Sequence, residues 1–156
     1  MAPNTIYLVT GGNRGIGLHL TAALLLRPNT TVIATLRSEE TSQEALHALP
    51  VGENSKLVIT YLDLSASTPI PDPEMETNSD STSQPQPHTP QSLHHALTTT
   101  HHIPHINTII ACAGHGTSFD ALLSTPPSSL LQNFHINTLG PITLFQALYP
   151  LLEAGA

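Results

Sequence analysis

Thr10-Gly11-Gly12-Asn13-Arg14-Gly15-Ile16-Gly17 is the stretch on which the reading of this chain turns. An apolar run, Ile6-Tyr7-Leu8-Val9, precedes it, and a second, Leu18 to Leu26, follows. The pattern predicts a strand, a glycine-rich turn and a helix. In an open parallel sheet this arrangement aims backbone N–H groups and a helix N-terminus at one spot, which suits a phosphate. Gly11 is expected to allow the tight turn. Gly15 is expected to let the backbone approach a pyrophosphate, and Gly17 to let the helix pack close to the sheet. A glycine-rich turn without a ligand is the plain alternative. The complete octet, so near the N-terminus and directly after a strand-like run, weighs against it.

The rest of the chain extends the same alternation. Thr5–Thr10 reads as the first strand, Gly15–Arg27 as the first helix and Thr31–Leu36 as the second strand. Thr41-Ser42-Gln43-Glu44 has the form of a capping box opening a short helix to Leu49. Lys56–Leu62 reads as the third strand, with Asp63-Leu64 at its C-terminal end. Residues 67–90 change character: Pro, Ser, Thr, Asp and Gln dominate. Burial there cannot offset the entropy of ordering, so a disordered insertion is expected. Thr89-Pro90 resembles an N-cap followed by Pro at the first helical position, opening a helix to about Thr100. Ile106–Ala111 reads as the fourth strand. Thr125-Pro126 opens a long apolar helix that Pro141 is expected to kink. Alternating strands and helices predict a truncated, doubly wound α/β domain over residues 1–156, with a parallel sheet in the order 3-2-1-4.

With 156 residues and 39% hydrophobic content, one domain with a real core is possible. Charged residues make up only 10%, so uncharged polar side chains must cover much of the surface. A net charge of -7 argues against a general nucleic-acid surface, and no apolar run reaches the roughly 18 residues of a membrane span. Cys112 stands alone, which excludes an intrachain disulfide framework. Met1 to Thr5 leads straight into the first strand with no signal-peptide pattern. A cytoplasmic location is therefore expected. His94, His95, His101, His102 and His105 straddle a helix and Pro104 in no zinc spacing, so no metal site is assigned.

The spacing Thr-Gly-x-x-x-Gly-x-Gly resembles the cofactor loop of the short-chain dehydrogenase/reductase family. Other segments resemble it too, each at the corresponding place. Asp63-Leu64 is similar to the family's pair beside the adenine. Ala111-Cys112-Ala113-Gly114 is similar to its Asn-Asn-Ala-Gly, with Cys112 in place of an Asn. Asn137 matches the Asn on the following helix, which the resemblance gives a supporting catalytic role: a proton relay through a backbone carbonyl and water. Loosely, the chain resembles the norsolorinic acid ketoreductase-like branch. The resemblance thus implies a dinucleotide site at Thr10, Gly11, Asn13, Arg14, Gly15, Ile16, Gly17, Arg37, Asp63, Leu64, Ala113 and Gly114. It also implies an oxidoreductase acting on carbonyl or keto groups.

Arg37 bears on the cofactor. An acidic residue at the end of the second strand would bind a ribose 2′-hydroxyl and repel a 2′-phosphate. Here Leu36 and Arg37 stand there, and a guanidinium can form charge-assisted bonds to that phosphate. Arg14 adds a second positive group, so NADP(H) is expected.

The resemblance covers only the N-terminal part of the family's fold. Its reductases use a Ser, a Tyr general acid/base and a Lys four residues after that Tyr. The only lysine here is Lys56, preceded at that spacing by Gly52; Tyr7, Tyr61 and Tyr149 are followed at that spacing by Gly11, Ser65 and Glu153. Three readings stand: a carbonyl reductase represented by part of its chain, a non-catalytic NADPH-binding module, and a non-functional remnant. The C-terminal helix, apolar on one face, offers a homodimer contact.

Overall fold

The computed structural model describes residues 3–66, 88–116 and 121–156. The insertion expected over 67–90 falls outside them from 67 to 87. The element order is β1 (Thr5–Thr10), α1 (Gly15–Leu25), β2 (Thr30–Leu36), α2 (Glu44–His47), β3 (Lys56–Tyr61), α3 (Pro90–Thr99), β4 (Thr108–Ile110), α4 (Pro127–Phe134) and α5 (Gly140–Glu153). The strands form one parallel sheet in the order β3-β2-β1-β4, as the sequence predicts.

The alternation of side chains across the strands makes two cores. Ile6 and Leu8 of β1 and Ile33 of β2 face Leu93 and Leu97 of α3 and Leu144, Leu148 and Leu151 of α5. Val9 and Val32 face Leu24 and Leu25 of α1 on the other side. Ala34 and Leu36 extend that side to Leu46 of α2. The sheet is therefore covered on both faces, which is why β2, with neighbours in all directions, is buried at every position. Two loop contacts brace the layers. Asn107 Oδ1 accepts from the Ile6 N–H at 2.8 Å, and its amide donates to the Gly155 carbonyl at 3.0 Å.

Several element ends differ from the sequence reading. Thr89 caps α3 as expected, accepting from the Ser92 N–H at 3.2 Å, with Pro90 in the first turn. The capping box at Thr41 does not form. Gln43 precedes α2 in helical conformation with no side-chain cap, and its amide instead donates to the Tyr61 hydroxyl at 2.9 Å. α1 stops at Leu25 rather than Arg27, and β4 is shorter than the run Ile106–Ala111. The long C-terminal helix begins after Pro126, not at it. It is broken upstream of Pro141 by a π-helical stretch, His135–Leu139. Pro141 has no N–H for the Asn137 carbonyl, and its ring would crowd that oxygen, so the wider turn takes up the conflict.

Candidate functional site

The C-terminal ends of the strands open into a cleft of about 400 Å³. One wall is the glycine loop. Gly11 and Gly15 have φ of +64 and +53, the left-handed region that an L side chain resists. A Cβ on Gly11 would lie 3.2 Å from the Ala113 Cα, so this glycine also lets the β1 loop approach the β4 loop. A Cβ on Gly15 would meet nothing within 4 Å; the space there is open. Gly17 does not serve helix–sheet packing as expected. Its Cβ would overlap the Gly11 carbonyl oxygen, so it permits the loop to fold back on the helix start. The close approach to the sheet belongs to Gly12, whose Cβ would stand 2.8 Å from the Ala34 Cβ in β2. Gly12 also donates to the Thr35 carbonyl at 3.1 Å.

The start of α1 faces the cleft unblocked. Arg14 at the N-cap is extended and gives no side-chain cap, and the first turn carries no acidic residue. The Leu18 N–H donates to the Arg14 carbonyl at 3.1 Å. The opening N–H groups at Gly15, Ile16 and Gly17 thus lie at the positive end of the helix, next to open space. Ile16 is 76% exposed there and gives the cleft an apolar surface.

Arg37 and Asp63 sit at the ends of neighbouring strands, one residue beyond the register pair Leu36–Tyr61 in β2 and two beyond it in β3. Their side chains pair, with Nε 3.4 Å from Oδ2. Asp63 Oδ1 also accepts from the Ser65 N–H at 2.9 Å and the Ser65 hydroxyl at 2.6 Å. Partial burial alone would raise the Asp63 pKa. The two Ser65 bonds and then the Arg37 charge outweigh it, and the carboxyl is held below its ordinary value.

The opposite wall is the loop after β4. Thr10, a predicted site residue, does not line the cleft; its hydroxyl accepts from the Ala113 N–H at 2.9 Å and sets the loop against β1. Asn137 does not line it either. Its side-chain oxygen accepts from the His115 N–H and its amide donates to the His115 carbonyl, each at 2.8 Å. Asn137 therefore clamps one residue of the loop, through both of its backbone groups, from the π-helical stretch.

Gly11, Asn13, Arg14, Gly15, Ile16, Gly17, Arg37, Asp63, Leu64, Ala113 and Gly114 all line one cleft. The sequence reading missed Leu36, Leu62, Ser65 and Ile136, and gave Cys112 no part in the lining. The signal for Ser65 lay in its place two residues after Asp63, the spacing of a local side-chain turn. Among the described residues no group of three or more His, Cys, Asp or Glu side chains could hold a metal ion. No described helix is long and apolar enough to cross a membrane.

No family model matches the chain. It is 34% identical over 152 residues to norsolorinic acid ketoreductase nor1 of Dothistroma septosporum, covering 97% of this chain and 49% of that protein. It is 35% identical over 152 residues to the short chain dehydrogenase gsfK of Penicillium aethiopicum, covering 97% and 51%. The chain thus spans about half the length of the curated relatives it matches. Its fold is that of the RhlG/NADP active-site complex of Pseudomonas aeruginosa, with a TM-score of 0.75 at 24% identity over 99% of this chain and 50% of that one. In sequence this chain is similar to these ketoreductase and short-chain dehydrogenase proteins over about half of their length, and in fold it is similar to the RhlG/NADP complex.

Proposed function

We propose that this cleft binds NADP(H) and that the chain supplies the cofactor half of an oxidoreductase acting on carbonyl or keto groups. The observation that carries the reading is convergence. A helix start with unspent donors, an open glycine cradle, two arginines and a bonded carboxylate surround one space at the strand ends. These groups match the parts of a dinucleotide. The Gly15–Gly17 N–H groups would hold the pyrophosphate, Asp63 the adenine amine, and Arg14 and Arg37 the 2′-phosphate. Ala113 and Gly114, without bulky side chains, would leave room for the ribose and nicotinamide. When bound, NADPH supplies a hydride to a carbonyl carbon. Asn137 fits a supporting role, because Pro141 cannot donate the α-helical bond to its carbonyl.

The names of the relatives, a ketoreductase among them, and of the NADP complex favour this reading. The 156-residue sequence contains no Tyr-x-x-x-Lys pair, so this chain alone is expected to bind the cofactor without turnover. We place it in the cytoplasm. We also place a homodimer contact on α5, where Ile142, Phe145 and Tyr149 are about half exposed.

Calorimetric titration of the pure chain with NADPH and NADH tests the proposal. Saturable binding with NADPH preferred by at least roughly tenfold is expected from a charge-assisted pair worth about 1.5–3 kcal/mol. Equal affinities overturn the NADP preference, and no binding overturns the site. Carbonyl reduction by the pure chain overturns the expectation of no turnover.

A further inference from the structure

Arg37 is not waiting free for a phosphate. It is paired with Asp63, the acidic group facing the same cleft, and a 2′-phosphate must draw it away. The lengths of the contacts decide how easily that happens. Arg37 meets Asp63 at 3.4 Å and the Ser65 hydroxyl at 3.3 Å, both at the long end for hydrogen bonds. Ser65 holds Asp63 through its hydroxyl at 2.6 Å and its N–H at 2.9 Å. The hydroxyl has one proton. Given to Asp63, it leaves only a lone pair for Arg37. Asp63 is thus held chiefly by Ser65, and Arg37 loosely by both.

We infer that Ser65 is the positioning residue that sets the site's selectivity for a 2′-phosphorylated adenosine, by satisfying Asp63 so that Arg37 can leave it. The inference rests on the NADP(H) reading of the cleft. With Ser65 in place, Arg37 turns to the phosphate while Asp63 keeps two donors and stays ionised, able to accept from the adenine amine. Without the hydroxyl, Asp63 keeps one of those donors and draws Arg37 closer. The phosphate must then compete with a tighter ion pair. A ligand with a plain 2′-hydroxyl makes no such demand on Arg37, so its affinity changes less.

The test is calorimetric titration of the whole chain and its variants with NADPH and with NADH, reading the ratio of the two dissociation constants. Ser65→Ala is expected to lower the preference for NADPH about 5- to 10-fold, mainly through weaker NADPH binding. Ser65→Thr, which keeps the hydroxyl, is expected to restore it. Ser65→Val, equal in shape to Thr, is expected to behave as Ala, and the Thr/Val pair carries the test if the Ala variant does not fold. An unchanged ratio in Ala and Val, or a Thr variant as impaired as Val, overturns the role of Ser65. The cofactor reading itself is judged on the wild-type chain alone. If that chain prefers NADPH and the variants do too, only this inference fails. If it binds neither cofactor, or both equally, both fail.

Discussion

The two walls of the cleft are held in place by different means. The glycine-loop wall is set by close approach of the backbone: Gly17 against the Gly11 carbonyl, Gly11 against the Ala113 backbone, Gly12 against the Ala34 methyl group. The facing wall, the loop after β4, is set by side chains reaching across the fold. Thr10 holds the Ala113 N–H and Asn137 holds both backbone groups of His115. The strands behind them differ in the same sense. β2 is buried at all seven positions, whereas β4 has three residues, none fully buried. Where this wall is made of close backbone contacts, it tolerates no added atom. A wall made of side-chain hydrogen bonds tolerates their loss by loosening locally.

The glycine wall should therefore break hardest. Gly17→Ala places a methyl group on the Gly11 carbonyl, with Gly12 Cα only 3.3 Å away, and neither neighbour is a side chain that can swing aside. The expected cost is about 3 kcal/mol in urea unfolding, together with loss of NADPH binding. Gly15→Ala sharpens the point. It meets no atom, so its cost should be only the left-handed backbone, roughly 1–2 kcal/mol. Equal costs at the two glycines would contradict the account of this wall.

Asn137→Ala should act more mildly and on the other side. Two hydrogen bonds to the backbone of His115 disappear at a site that water can reach, so a loss of about 1–2 kcal/mol is expected. Hydrogen exchange at the His115 amide is the sharper readout. It should speed markedly, while amides of the glycine loop keep their protection. Unaltered protection at His115 would mean that something other than Asn137 holds the loop.

The contrast also explains what the sequence revealed. The glycine octet, β1 and the Thr89-Pro90 cap depend on neighbours within a few residues, and they could be read directly. Arg37 could be placed at a strand end, yet its pairing with Asp63 depends on the register of β2 against β3, which no local pattern encodes. Asn137 could be matched to a motif, but not its grip on a residue 22 positions away. The capping box fails at Thr41 because the N–H and hydroxyl of Thr41 both turn back to Ser38 rather than to the helix start. Gly17 was misassigned because the sequence shows that space is needed there and not which neighbour requires it.

The smallest effect belongs to the Arg37–Asp63–Ser65 corner, where side chains again do the work, this time next to the glycine wall. Folding lowers the Asp63 pKa, so the folded chain binds this proton less readily than the unfolded chain. The corner's contribution to stability is complete above the unfolded carboxylate value. It fades as pH falls from there through the lowered folded value. Urea midpoints measured at descending pH should show a loss that Asp63→Asn lacks over that acid window, with no difference in slope between the two proteins near neutrality. Arg37 is 65% exposed, so salt should screen its share, while the Ser65 bonds should persist. If high salt abolished the whole difference between wild type and Asp63→Asn, the ion pair rather than Ser65 would be what holds the carboxylate. This corner would then resemble an ordinary surface pair more than the side-chain clamp at Asn137.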